Sequence, residues 1–230
     1  ELSREPKNIR FREPLIAKFE NNWQKITGIK GGFDDAEQEH TYKKRGEEMM
    51  GRVYANRRVL EGLAVKIKAE NNLPRFDLVP EDGIILCGKI DWLSFDETLK
   101  SVHIIDFKTG KYEERETSLQ LPIYFLLAKN CQQYPVDGAS YWYLDRNDAQ
   151  REEKLPLYDD ALQEVIVASK RLKLAEKLKK FDCPSRECRD CAPYSRIANG
   201  EGELVGIDDF GAEVYYVQHK PEDEIDVVVH

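Results

Sequence analysis

Two aspartates and a lysine carry the first chemical signal in this sequence. Asp91 lies at the end of an apolar run that begins at Ile84, Asp106 lies at the end of a second run that begins at Ser101, and Lys108 follows Asp106 by two residues. If the polar stretch 95–100 holds a turn centred near Glu97 to Leu99, the two carboxylates fall roughly opposite each other. Strand alternation then puts Asp106 and Lys108 on one face. Facing carboxylates repel unless a proton or a cation lies between them. A hard divalent ion with oxygen ligands meets that need. The competing reading is a solvated Asp106–Lys108 pair at a strand end that does no chemistry.

Two neighbouring features favour chemistry. Gly110 closes the run Asp106-Phe107-Lys108-Thr109-Gly110 and lets the backbone turn sharply beside the carboxylates. Gln120 and Tyr124 stand at i and i+4, hence on one face of the helix expected over 118–129. A half-buried amphipathic helix would account for that spacing equally well by itself.

These residues need a scaffold. Leu15, Ile16, Phe19, Trp23 and Ile26 have helical spacing, ended by Gly28 and the Gly31-Gly32 pair. A second, charge-rich helix is expected over 36–60, with Met49, Val53 and Tyr54 inside. Strands are expected at 63–67, 84–92, 101–108 and 139–144, a long helix at 159–180, and a short β element at 203–217. The order predicts an α/β fold with a mixed central sheet flanked by helices and covered on both faces. It divides into an N-terminal helical region (1–62), a core (63–180) and a cysteine-containing segment with a β tail (181–230).

The chain has 230 residues, 41% of them hydrophobic and 34% charged, the balance of a folded globular protein. It contains no 18-residue apolar run and no signal-peptide pattern, so no membrane is expected as a partner, and the expected location is the cytoplasm or the nucleoid. The net charge of −8 opposes a nucleic-acid role, unless a local basic stripe or bound cations supply a positive field. No phosphate-binding loop of the G-x-x-x-x-G-K-[ST] type occurs, so no ATP-driven motor is expected.

Taken in order, Gly88-Lys89-Ile90-Asp91, Ile104-Ile105-Asp106-Phe107-Lys108-Thr109-Gly110 and Gln120-Leu121-Pro122-Ile123-Tyr124 resemble the successive motifs of the RecB-type branch of the PD-(D/E)XK nucleases. That branch includes the nuclease domains of RecB and AddB and the CRISPR-associated RecB-like exonucleases. A looser similarity runs from Trp23 to Cys191. The resemblance implies a restriction-endonuclease-like core and metal-dependent hydrolysis of DNA, with exonuclease action on single strands or ends, in repair, recombination or defence. It implies Mg²⁺ or Mn²⁺ on Asp91, Asp106 and the Phe107 carbonyl. Lys108 would orient the attacking water, and Gln120 and Tyr124 would brace the site and contact DNA. A helicase or another repair subunit is the implied protein partner. The branch also carries an upstream His and an early Cys-Pro that have no counterpart before Asp91. Both are expected upstream of Glu1, with Glu47 as a substitute ligand. The rival from another class is a catalytically weak DNA-binding or scaffolding subunit, and a third reading is a hydrolase of another phosphodiester such as RNA.

Cys183, Cys188 and Cys191 crowd three of the five cysteines into nine residues, which suggests metal ligation over disulfides. The resemblance implies a [4Fe-4S] cluster there; zinc and free thiols are the alternatives. Cys87 and Cys131 are expected to be small core residues. Lys170, Arg171, Lys173 and Lys177 make one helix strongly basic, either a phosphate track or a solvated face. Tyr141, Trp142 and Tyr143 are expected in the core or stacked on bases, and His103 is expected to be packed.

Overall fold

The structure is a computed structural model that describes residues 5–67, 73–181, 191–208 and 211–218. Its helices are α1 (Leu15–Trp23), α2 (Ala36–Ala55), α3 (Arg58–Glu61), α4 (Gln120–Cys131), α5 (Tyr158–Leu178) and α6 (Ala192–Ala198). Its strands are β1 (Leu63–Ala64), β2 (Arg75–Val79), β3 (Ile84–Cys87), β4 (Trp92–Asp96), β5 (Ser101–Lys108), β6 (Val136–Tyr143), β7 (Arg151–Glu153), β8 (Glu203–Ile207) and β9 (Glu213–Tyr216). The described residues group into two compact units, one drawn from Glu1–Leu15 and Glu48–Lys180, the other from Ile16–Glu47 and Phe181–His230.

The first unit holds a five-stranded sheet in the order β1-β4-β5-β6-β7. The β4–β5 hairpin forms where its sequence asks for it. Asp96 Oδ1 accepts hydrogen bonds from the backbone N–H groups of Thr98 (2.7 Å) and Leu99 (2.9 Å). Lys100 then turns the chain with φ 55°. β5 and β6 run parallel, joined through α4, while the other neighbours are antiparallel, so the sheet is mixed. Alternating side chains feed two cores. Leu93, Ile104 and Ala139 pack with Leu126 and Leu127 of α4 and Val165 of α5. Trp92, Ile105 and Trp142 pack on the other face with Leu15, Met49, Val53 and Leu60. The sheet is covered on both sides, as its doubly apolar strands require. Arg10 is also buried there: it donates to the carbonyls of Leu60 and Gly62 and lies over the Trp92 ring at 4.6 Å.

Several sequence expectations need correcting. The run 84–92 is two strands, not one: β3 pairs with β2, and β4 pairs with β5. Gly88 N–H still reaches the Pro74 carbonyl at 3.3 Å, after which the chain changes partners. The 63–67 strand is paired over two residues only, and the 36–60 helix breaks between α2 and α3. Tyr54 is exposed, whereas Met49 and Val53 are buried. Cys87 is exposed rather than in the core, because Leu86 takes the inward position of β3 and alternation turns Cys87 out. β2 and β7 were not expected at all.

One close approach gives a test of the sheet. Gly138 pairs with His103 across β5 and β6, and a Cβ there would stand 2.7 Å from the His103 ring. The ring is tethered by a hydrogen bond shared with Ser140. Gly138→Ala is expected to cost about 1–3 kcal/mol, read as a lower urea midpoint at unchanged slope.

In the second unit Trp23 is flanked by Phe19 and Phe33, at 5.3 and 5.5 Å between ring centres, and donates its Nε1–H to Glu39. The β8–β9 hairpin is tied in by Tyr216, whose hydroxyl donates to Asp34 at 2.5 Å.

Candidate active site

Asp106 and Lys108 lie at the C-terminal end of β5, on the face that α4 covers. Trp92 pairs with Ile105, so one more step of the same register sets Asp91 opposite Asp106. The segment leading to Asp91 runs close to α4, since a Cβ on Gly88 would meet Leu127 at 3.1 Å. Asp91 Oδ2 accepts the Phe107 N–H at 3.1 Å. A strand residue points its N–H and C=O to the same side, so the Phe107 carbonyl also faces the β4 side of β5, while Leu144 N–H takes the Lys108 carbonyl on the β6 side.

Asp106 is buried, with 3% of the residue exposed. Its Oδ2 lies 3.0 Å from Lys108 Nζ, an ion pair within the buried site. Burial raises the Asp106 pKa above the ordinary carboxylate range; Lys108 opposes the rise and the neighbouring Asp91 carboxylate adds to it. Lys108 Nζ donates to Glu114 Oε2 at 2.5 Å and to Gln120 Oε1, and lies over the Tyr141 ring at 4.8 Å. Burial alone would lower its pKa, but the bonds to Glu114 and Asp106 outweigh burial and leave it raised. Gln120 also donates Nε2–H to the Tyr124 hydroxyl at 3.3 Å. The Tyr124 phenol is pushed up by burial and by the charges of Asp106 and Asp91. Asp91, Asp106, Lys108, Gln120 and Tyr124 therefore share one network, built from two strands and the first turn of α4.

Among the described residues, no three His, Cys, Asp or Glu side chains form a metal cage. The donor set here is different: two adjacent carboxylates, one of them buried, and a backbone carbonyl on the same side. Such hard oxygens fit Mg²⁺ or Mn²⁺.

The model of the PD-(D/E)XK nuclease superfamily matches residues 3–197 of the sequence. The chain belongs to this superfamily. No curated protein matches it. The five-stranded mixed sheet with helices on both faces is consistent with the core that this nuclease family implies.

Other expected site residues of this PD-(D/E)XK chain sit elsewhere. Lys170 and Lys173 on α5 both pair with Asp82, at 3.5 and 3.3 Å, so two cations of the basic stripe already have an anionic partner. Arg171 and Lys177 are exposed. Arg171 lines a groove of about 1340 Å³ that opens beside Glu114 and Tyr141. Glu113, Glu114, Glu116, Glu153, Asp160 and Glu164 outnumber Arg115, Arg151, Lys154 and Arg171 along it, so the groove lacks the positive field of a phosphate track. Glu47 is engaged by Lys43 at 3.9 Å. Cys191 is exposed at the start of α6, and Cys183 and Cys188 lie outside the described residues. No helix among the described residues is long and apolar enough to cross a membrane.

Sequence reasoning missed Glu114 and the position of Tyr141 beneath Lys108. Glu114 sits in an irregular charged segment, where no period links it to Lys108. Tyr141 reaches Lys108 through the parallel β5–β6 pairing, which no local pattern encodes.

Proposed function

We propose that the chain is a metal-dependent deoxyribonuclease of the RecB-type branch that removes nucleotides from single strands or ends. The observation that carries this reading is the buried Asp106 carboxylate at the end of β5, with the Asp91 carboxylate beside it and the Lys108 ammonium 3.0 Å away. A second acid beside a buried ion pair repels the first unless a proton or a cation lies between them. Asp91, Asp106 and the Phe107 carbonyl would hold Mg²⁺ or Mn²⁺, which when bound supplies Lewis-acid activation of water and neutralises phosphate charge.

The chain's own groups do the rest. Lys108 keeps a proton on Nζ and faces it toward charge developing on the phosphate. Gln120 holds that ammonium through its amide oxygen and ties it to Tyr124 on the same helix face. Exposed surface pairs such as Lys170–Asp82 and Lys173–Asp82 are weak enough to open for a DNA phosphate. A [4Fe-4S] cluster, or zinc, on Cys183, Cys188 and Cys191 would pin the C-terminal segment without taking part in cleavage; iron, sulfide and zinc analysis of purified protein tests it. Repair, recombination or defence, alongside a helicase or another repair subunit, is the setting that the three ordered motifs favour.

The test is digestion of end-labelled linear duplex, linear single strands and closed circles with Mn²⁺, with a chelator control and an RNA arm. Linear DNA is expected to be degraded from its ends and circles spared, with all cleavage lost on chelation. Equal attack on circles would remove the exonuclease assignment. Cleavage of no nucleic acid would remove the nuclease reading and leave the scaffolding subunit.

A further inference from the structure

The segment between Lys108 and α4 is not part of any helix or strand, yet it is held at several points. Glu113 and Glu114 are consecutive and face opposite ways. Glu114 turns inward to Lys108 Nζ at 2.5 Å. Glu113 turns outward to Arg151 Nη1 at 2.8 Å and Arg146 Nη2 at 3.6 Å. Both arginines lie over the ring of Tyr143, at 5.0 and 4.7 Å. The Tyr143 hydroxyl accepts the backbone N–H of Glu114 at 3.1 Å and an Arg151 N–H at 3.3 Å. Arg146 also donates to the Lys111 carbonyl at 3.0 Å. Tyr143 is fully buried in β6, and its register partner in β5 is Lys108 itself. The clamp that fixes Glu114 therefore stands on the same sheet, one strand away from the lysine that Glu114 touches.

An ammonium has three protons to donate. Glu114 and Gln120 accept two of them from Lys108. The third is left for the side where Asp106 Oδ2 lies. Without Glu114, the flexible four-carbon stem would let the ammonium swing toward the open groove.

We propose that Glu114 is a positioning residue for DNA cleavage: locked by the Arg146–Tyr143–Arg151 clamp, its carboxylate holds the Lys108 ammonium so that its remaining proton serves the Asp91–Asp106 centre. The proposal rests on the nuclease reading above.

The experiment measures kcat and KM on linear DNA with Mn²⁺ for wild type, K108A, E114A, E114Q, R151M and the E114A/R151M pair, with urea midpoints to show that each is folded. E114A is expected to lose about tenfold in kcat with KM within twofold. E114Q keeps an acceptor of the same reach and should return to within about threefold of wild type. R151M should lose part of what E114A loses, and the double variant should be no slower than E114A alone, because both act through one contact. Wild-type kcat in E114A, alongside an inactive K108A, would overturn the positioning role and leave the nuclease reading standing. A faster E114A would show that the carboxylate blocks Lys108 and would overturn it too. E114Q no better than E114A would also defeat it, and additive losses in the double variant would defeat the clamp. Full activity in K108A would instead remove the nuclease reading itself.

Discussion

Lys108→Ala is expected to slow DNA cleavage by about 10³-fold, which corresponds to ~4 kcal/mol of transition-state stabilisation. The effect is large because the ammonium is mostly shielded from solvent and fixed before substrate arrives. Asp106, Glu114 and Gln120 surround its Nζ, and the Tyr141 ring closes the remaining side at 4.8 Å. A preorganised charge in such a site acts without the reorganisation that water would need. The loss should appear in kcat, with little change in KM, since the group acts on charge that develops only during reaction. Lys108→Arg should not rescue it, because a planar guanidinium cannot occupy a point bounded by three acceptors and a ring. Steady-state rates on linear DNA with Mn²⁺ decide the matter. A rate for the alanine variant within threefold of wild type would sink the catalytic assignment and favour a scaffolding subunit.

Asp106→Asn is expected to raise the stability of the metal-free protein while removing its response to Mn²⁺. Burial is the first cause of the raised Asp106 pKa, and the Asp91 charge adds to it despite Lys108. For an acid, a raised folded-state value means that the native protein prefers the protonated form. The metal-free wild type therefore loses stability as pH climbs from the ordinary carboxylate range through the raised folded value. Asparagine has no charge to desolvate, so its melting temperature should exceed that of wild type by a few degrees at neutral pH, with roughly 2 °C expected per kcal/mol in a chain this size. The gap should close as pH falls toward the ordinary carboxylate range. Mn²⁺ at about 100 times its Kd should stabilise the wild type by about 2.7 kcal/mol, and the asparagine variant by far less. Thermal melts across pH, with and without Mn²⁺, give both readouts. Equal Mn²⁺ shifts in the two proteins would show that the ion binds away from Asp91 and Asp106.

These two results would divide the site into its parts. Lys108 reports on charge developing in the reaction. Asp106 reports on charge already stored in the resting protein, where burial and the neighbouring Asp91 carboxylate both disfavour its ionised form. Stability given up at a site of this kind is an ordinary cost of preorganised chemistry.

The residues of the centre were legible in the sequence because short-range rules govern them. A hairpin has a register set by its turn, so the Asp96 turn brings Asp91 opposite Asp106, and period two then puts Lys108 beside it. Gln120 and Tyr124 share a helix face for the same local reason. Partners across long gaps have no such rule. Nothing in the run 84–92 tells that its first half pairs with β2 and its second with β5, because both halves are equally apolar. Nothing near Cys87 marks the open face on which it lies. The pairing of Lys170 and Lys173 with Asp82 joins residues about ninety positions apart, and the clamp on Glu114 joins an irregular segment to β6 and β7. Local spacing determined which side chains could meet at the carboxylates. Only the tertiary structure decided which acid would hold the lysine, because strand order and side-chain packing are set by contacts between segments that periodicity does not encode.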